Sequence, residues 1–177
     1  MAEGPNGVPG RWGTRGQAAV ELALIAPLLI TLLLGVAELG NALRTDLALV
    51  DAAREGARLA ARGNIFQPSD LVLVVTAHAR GLDLAHAGAI VVTTVQAGPS
   101  GFTAYTSQTL LGSATSRFDA AGLAALYNQV TAADPAFLRD EQFVIVEVFY
   151  NDPLITGLFG LTLPMYAYTI MPIAAPS

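Results

Sequence analysis

The sequence contains no cysteine and no lysine. Without thiols there are no disulfides, no thiolate metal site and no cysteine nucleophile, so the fold holds by packing alone. All nine basic residues are arginine, which we read as a compositional bias without functional meaning. There are only two histidines, His78 and His86, on either side of Gly81. No H-x-x-x-H spacing or carboxylate-rich motif accompanies them, so they read as surface or half-buried side chains. Nucleophile elbow and P-loop motifs are both missing. The glycines of Gly98-Pro99-Ser100-Gly101 and of Gly157-Leu158-Phe159-Gly160 read as turn residues. Asp134 before Pro135 belongs to a turn, and Asp140-Glu141 is a solvated pair. Nothing here forms an active site, and no cofactor, metal or small-molecule substrate is implied. The net charge of −5 argues against a nucleic-acid partner, which needs a basic surface.

What the sequence does have is a long apolar run, RGQAAVELALIAPLLITLLLGVAELG, at 15–40. From Leu22 to Ala37 it carries no charge. With Gln17–Glu21 added it reaches about 20 residues, the length of a helix that crosses a bilayer. A single spanning segment must be a helix, since only helices and closed barrels satisfy their backbone groups in lipid. The hydrophobic fraction of 53% and mean hydropathy of +0.52 fit one such span. An ordinary secretory signal fits less well, because the apolar region is too long and no A-x-A site follows.

Glu21 interrupts the run one turn from its start, and a carboxylate in hydrocarbon needs a partner. Cleavage after Gly16 would supply one, because Gln17 would then carry a free amine one helical turn from Glu21. The first 16 residues hold Arg11, Arg15 and Glu3, so losing them takes the net charge to −6. Arg11 and Arg15 precede the run and Glu38 opens its other side, which places the N-terminus in the cytoplasm. Pro27 lies inside the helix, where it removes one N–H and predicts a kink or loosened turn.

Gly16 followed by Glu at the fifth position, heading an apolar helix, resembles the processing site of type IV pilins and pseudopilins. Together with DAAREGARLAAR at 51–62, the segment resembles the TadE-like family of the tight-adherence (Flp) pilus machinery. The resemblance implies a structural component of the inner membrane, not an enzyme. It implies a prepilin peptidase that cuts between Gly16 and Gln17, with other pilins, pseudopilins and assembly-platform proteins as partners. It assigns Glu21 to helix register and pairing with the new amine. The major Flp pilin of that machinery has almost no globular domain, so a chain of this size implies a minor component. The alternative is an uncleaved, single-pass scaffold or binding protein of the periplasm.

Four regions are expected: a cytoplasmic leader at 1–16, a transmembrane helix at 17–38, its continuation at 39–63 and a small α+β domain at 64–177. In the continuation, Leu43, Leu47, Val50, Ala53 and Ala57 recur at helical steps. The block Ala52-Ala53-Arg54-Glu55-Gly56-Ala57-Arg58 has small residues that allow close approach, either by a neighbouring subunit or by the sheet of the same chain. Gly63-Asn64 and Pro68 end the helix. Ser69-Asp70 can cap a second helix through about Gly81, with a strand as the competing reading. Strands are expected at 89–97, 102–106, 142–150 and 165–172, with a loop at 107–116 and a helix over 119–132. In the strand from Gln142, Val144, Val146 and Val148 point one way, while Phe143, Ile145, Glu147 and Phe149 point the other. The fold class is therefore α+β, a pilin-like long helix against a small antiparallel sheet. Leu154, Ile155, Leu158, Phe159 and Leu161 crowd one loop, which reads either as an exposed contact patch or as a filler of the small core.

Overall fold

A computed structural model describes residues 12–62, 67–133, 141–155, 157 and 161–173. The chain divides into two compact units, Met1–Gly40 and Asn41–Ser177. The dividing point falls inside the first helix, α1 (Trp12–Ala60).

In the first unit every described residue is helical. The helix begins at Trp12, earlier than the expected Gln17, and passes through Pro27 without interruption. The carbonyl of Pro27 accepts a 2.8 Å hydrogen bond from Thr31 Oγ1. Large apolar side chains point outward all round: Leu24, Leu28, Leu33 and Val36 are all exposed. A helix that is apolar on every side needs an apolar surrounding.

The second unit is an antiparallel sheet covered on both faces. Strands β1 (Gly88–Gly98), β2 (Gly101–Leu111), β3 (Gln142–Pro153) and β4 (Thr162–Pro172) lie in the order β2-β1-β3-β4. Residues 41–60 of α1 and the helix α2 (Pro68–His78) cover one face. There Leu49, Ala52, Ala53, Ala57, Leu71 and Val75 bury against Ile90, Val92, Val144, Val146 and Val148. The helix α4 (Ala120–Ala133) covers the other face, where Leu123 and Leu126 meet Val95, Phe143 and Ile145. The opposed facing of odd and even residues in β3 is what strand periodicity requires. A long apolar N-terminal helix followed by an antiparallel sheet is the α+β class that the sequence predicts.

Three strand ends differ from expectation by several residues. β2 runs on to Leu111, so the loop expected at 107–116 starts only at Gly112. The reason is pairing: Ser107, Gln108 and Thr109 face Thr93, Val92 and Val91 of β1, and a polar edge strand is tolerated there. Gly112 then turns the chain at φ +71°, where a Cβ would run into the backbone of Gly88–Ala89. β3 and β4 extend toward each other, and the ladder continues through Asp152↔Leu163 and Pro153↔Thr162. The segment after Gln67 is the helix that the sequence predicts, but it ends at His78, and its cap is Gln67 rather than Ser69-Asp70: Pro68 opens α2 and Asp70 Oδ2 accepts from the Gln67 N–H. A one-turn helix, α3 (Leu84–Ala87), has no counterpart in the sequence reading, and the Asp83 side chain caps it.

Candidate functional site

The site residues expected at the N-terminus lie on the exposed surface of α1. Gly16 has open space where a Cβ would stand. Gln17 Nε2 donates to Glu21 Oε1 across 3.1 Å, one turn further along the same face. The helix from Gly16 is long and apolar enough to cross a membrane, and none of its most apolar stretch is buried. Pro27 sits within that stretch.

The block from Ala52 to Arg58 divides by face. Ala52, Ala53 and Ala57 are wholly buried under the sheet. A Cβ on Gly56 would stand 2.6 Å from Val75 Cγ2 and 3.2 Å from Val146 Cγ1, so only glycine fits without displacement. Arg54 pairs with Asp51 at 3.8 Å and Arg58 with Glu55 at 2.9 Å along the outer surface. The small residues thus give α1 its close seat on the sheet within one chain.

In the β3–β4 hairpin, Leu154 is half-buried, while Ile155 and Leu161 are 61% and 58% exposed. Leu158 and Phe159 lie outside the described residues. Asp152, at the foot of the hairpin, is buried and accepts a 3.1 Å hydrogen bond from Asn41 Nδ2.

Sequence reasoning missed a buried polar cluster around Glu147. This carboxylate is fully buried in β3. Its Oε1 accepts from the Arg117 backbone N–H and from the Tyr166 hydroxyl, each at 2.9 Å. Its Oε2 accepts from Ser116 Oγ. Ser116 Oγ in turn accepts from the Phe118 N–H at 3.0 Å and lies 3.3 Å from Thr93 Oγ1. The Arg117 guanidinium stacks over the Tyr166 ring, 4.1 Å from its centroid, with the Phe149 ring 5.7 Å away. Burial, and then the negative charge of Glu147, push the Tyr166 phenol well above its ordinary value of 10.0. With the lone pairs of Ser116 taken and Glu147 sealed from water, the pair does not form a nucleophile and base. It anchors the chain between β2 and α4 to the sheet, which positions α4. The only sequence signal was one charge in the middle of a valine-rich strand.

The histidines stand apart from each other's chemistry. His78 Nδ1 lies 2.9 Å from the Val74 carbonyl oxygen, within its own helix. His86 Nδ1 lies 2.9 Å from the Asp83 carboxylate, on the surface, and this contact lowers the Asp83 pKa. Among the described residues no three His, Asp or Glu side chains gather to hold a metal ion.

Residues 16–58 match a family model described as TadE-like protein. The match starts at the glycine of the expected cleavage site, covers the apolar run, and ends within the small-residue block. No curated protein and no solved structure matches the chain.

Proposed function

We propose that this chain, TadE-like over residues 16–58, is a minor pseudopilin of a tight-adherence pilus, processed after Gly16 by a prepilin peptidase. The TadE-like family is structural and associated with the Tad pilus. The observation that carries the reading is the coincidence of that match with one continuous helix. Its first part is apolar and uncovered, and its second part is the seat of a sheet. Residues 17–38 span the inner membrane with the N-terminus in the cytoplasm, and the sheet-bearing unit works in the periplasm. The protein is a substrate and structural partner rather than an enzyme. A unit of this size following the apolar helix in the chain favours a minor subunit that initiates or organises assembly with other pilins and the assembly platform.

Glu21 is central. Once Gln17 becomes the N-terminus, its amine lies one helical turn from the carboxylate, where the Gln17 side-chain amide already reaches. The pair lowers the cost of a charge in lipid and sets register against a neighbouring helix. The test is complementation of a strain that lacks this chain. The natural sequence should restore surface pili, and Glu21→Gln should not. Full restoration by Glu21→Gln would favour the uncleaved periplasmic scaffold.

A further inference from the structure

The apolar hairpin between β3 and β4 has a definite position along α1. Val146 meets Gly56 of the helix, and Asp152 meets Asn41. Between these two points the strand advances about 20 Å. The helix covers about 22 Å over the same interval. Strand and helix therefore run side by side, and the C-terminal end of β3 points toward the N-terminal end of this portion of α1. The ladder continues beyond Asp152 through Pro153↔Thr162. Asn41 is also where the chain enters the unit, joined through Glu38–Gly40 to the apolar run.

The chemistry of the hairpin suits that position. After Asp152 the sequence contains no Asp, Glu, Arg or His to its end. Leu161 and Leu163 are 58% and 42% exposed, and Ile155 is 61% exposed. Leu163 stands opposite Asp152 in the ladder, so it lies on the α1 side of the sheet, level with Asn41. Large apolar side chains held in water at this point would be costly, and such exposed side chains mark a contact surface.

We infer that the end of the β3–β4 ladder, at Ile155, Leu161 and Leu163, is a second membrane contact, seated in the interfacial layer of the bilayer. The occupant of this patch is lipid. The inference rests on the reading of residues 17–38 as a membrane span. Ile155, Leu161 and Leu163 enter the boundary between headgroups and acyl chains, about 5–10 Å deep at most, as interfacial segments do. The Asn41–Asp152 hydrogen bond fixes the hairpin to the helix at that level.

The test uses the full chain in lipid vesicles, at a protein-to-lipid ratio low enough for isolated copies. Trp12 is the only tryptophan, so Trp12→Phe provides a silent background. Single tryptophans are then introduced as Leu29→Trp in the apolar run, Leu161→Trp in the hairpin and Tyr105→Trp in β2. Tyr105 is 50% exposed and lies opposite Val95, at the end of the sheet away from the hairpin. Lipids brominated at shallow or deep acyl positions quench tryptophans at matching depth. The expected result is deep quenching of Leu29→Trp, shallow quenching with a blue shift for Leu161→Trp, and neither for Tyr105→Trp. If Leu29→Trp escapes quenching, the membrane span itself fails. If Leu29→Trp is quenched while Leu161→Trp behaves like Tyr105→Trp, the hairpin contact is overturned and the span stands. A blue shift at Leu161→Trp without quenching would show protein rather than lipid on the hairpin, and would equally overturn it. All three positions are exposed, so the substitutions load no core.

Discussion

Asn41 donates a 3.1 Å hydrogen bond to Asp152, joining the first residue of the sheet-bearing unit to the last rungs of β3. Asp152 is only 6% exposed, so its carboxylate depends on that donor. Asn41→Ala should destabilise the unit by about 1.5–3 kcal/mol, the range for a hydrogen bond to a charged group. Hydrogen exchange at β3 and β4 near Asp152 and Leu163 should accelerate more than exchange at β1. Uniform exchange across the sheet would argue that the bond contributes little.

The Glu147 cluster predicts a graded series. Glu147→Ala strands Ser116 Oγ, the Arg117 N–H and the Tyr166 hydroxyl at once, and should cost about 3–5 kcal/mol. Glu147→Gln keeps one acceptor oxygen and should cost about 1–3 kcal/mol. Denaturant titration of the chain in detergent measures both. Equal, small losses would mean that the cluster does not hold α4 in place.

Tyr166 gives the alkaline limb of stability. Its raised pKa means the folded protein favours the neutral phenol. That contribution is whole below pH 10 and falls as pH rises past it, where the unfolded chain ionises first. The natural protein should be more stable than Tyr166→Phe at pH 8, by about 1 kcal/mol. The advantage should shrink above pH 10 by about 1.4 kcal/mol per pH unit. Parallel stability profiles for the two proteins from pH 8 to 11 would contradict this.

Gly56 is the closest point between helix and sheet. Gly56→Ala gains about 0.5–1 kcal/mol of helix propensity, yet forces its methyl into Val75 and Val146. Valine is stiff and yields little. The net effect should be a loss of about 1 kcal/mol, and Gly56→Leu should exceed 3 kcal/mol or prevent folding. Thermal melts followed by circular dichroism decide it, and a neutral Gly56→Leu would mean the helix seats loosely.

The long helix was legible because an uncharged run beyond Leu22 has few structural solutions, and the two faces of β3 because alternation there is unbroken. The second half of β2 was not. Ser107 to Thr109 carry no apolar pattern and are held extended by their partners in β1. The layer formed by α4 was visible as a helix but not as the cover of the second face, which depends on Phe143 and Ile145 needing burial. The Glu147 cluster was hidden because Ser116, Arg117 and Tyr166 converge from distant segments. In the hairpin, composition revealed the apolar patch, and only the Asn41–Asp152 bond revealed where along α1 it sits.

The measurement that bears most directly on the whole account is the mass of the N-terminal peptide of the chain extracted from membranes, with and without an active prepilin peptidase. The account predicts a chain that begins at Gln17 only when the peptidase is active, and one that retains residues 1–16 when it is not. A chain that retains residues 1–16 under both conditions would contradict it, and would leave an anchored scaffold that shares only the family's helix.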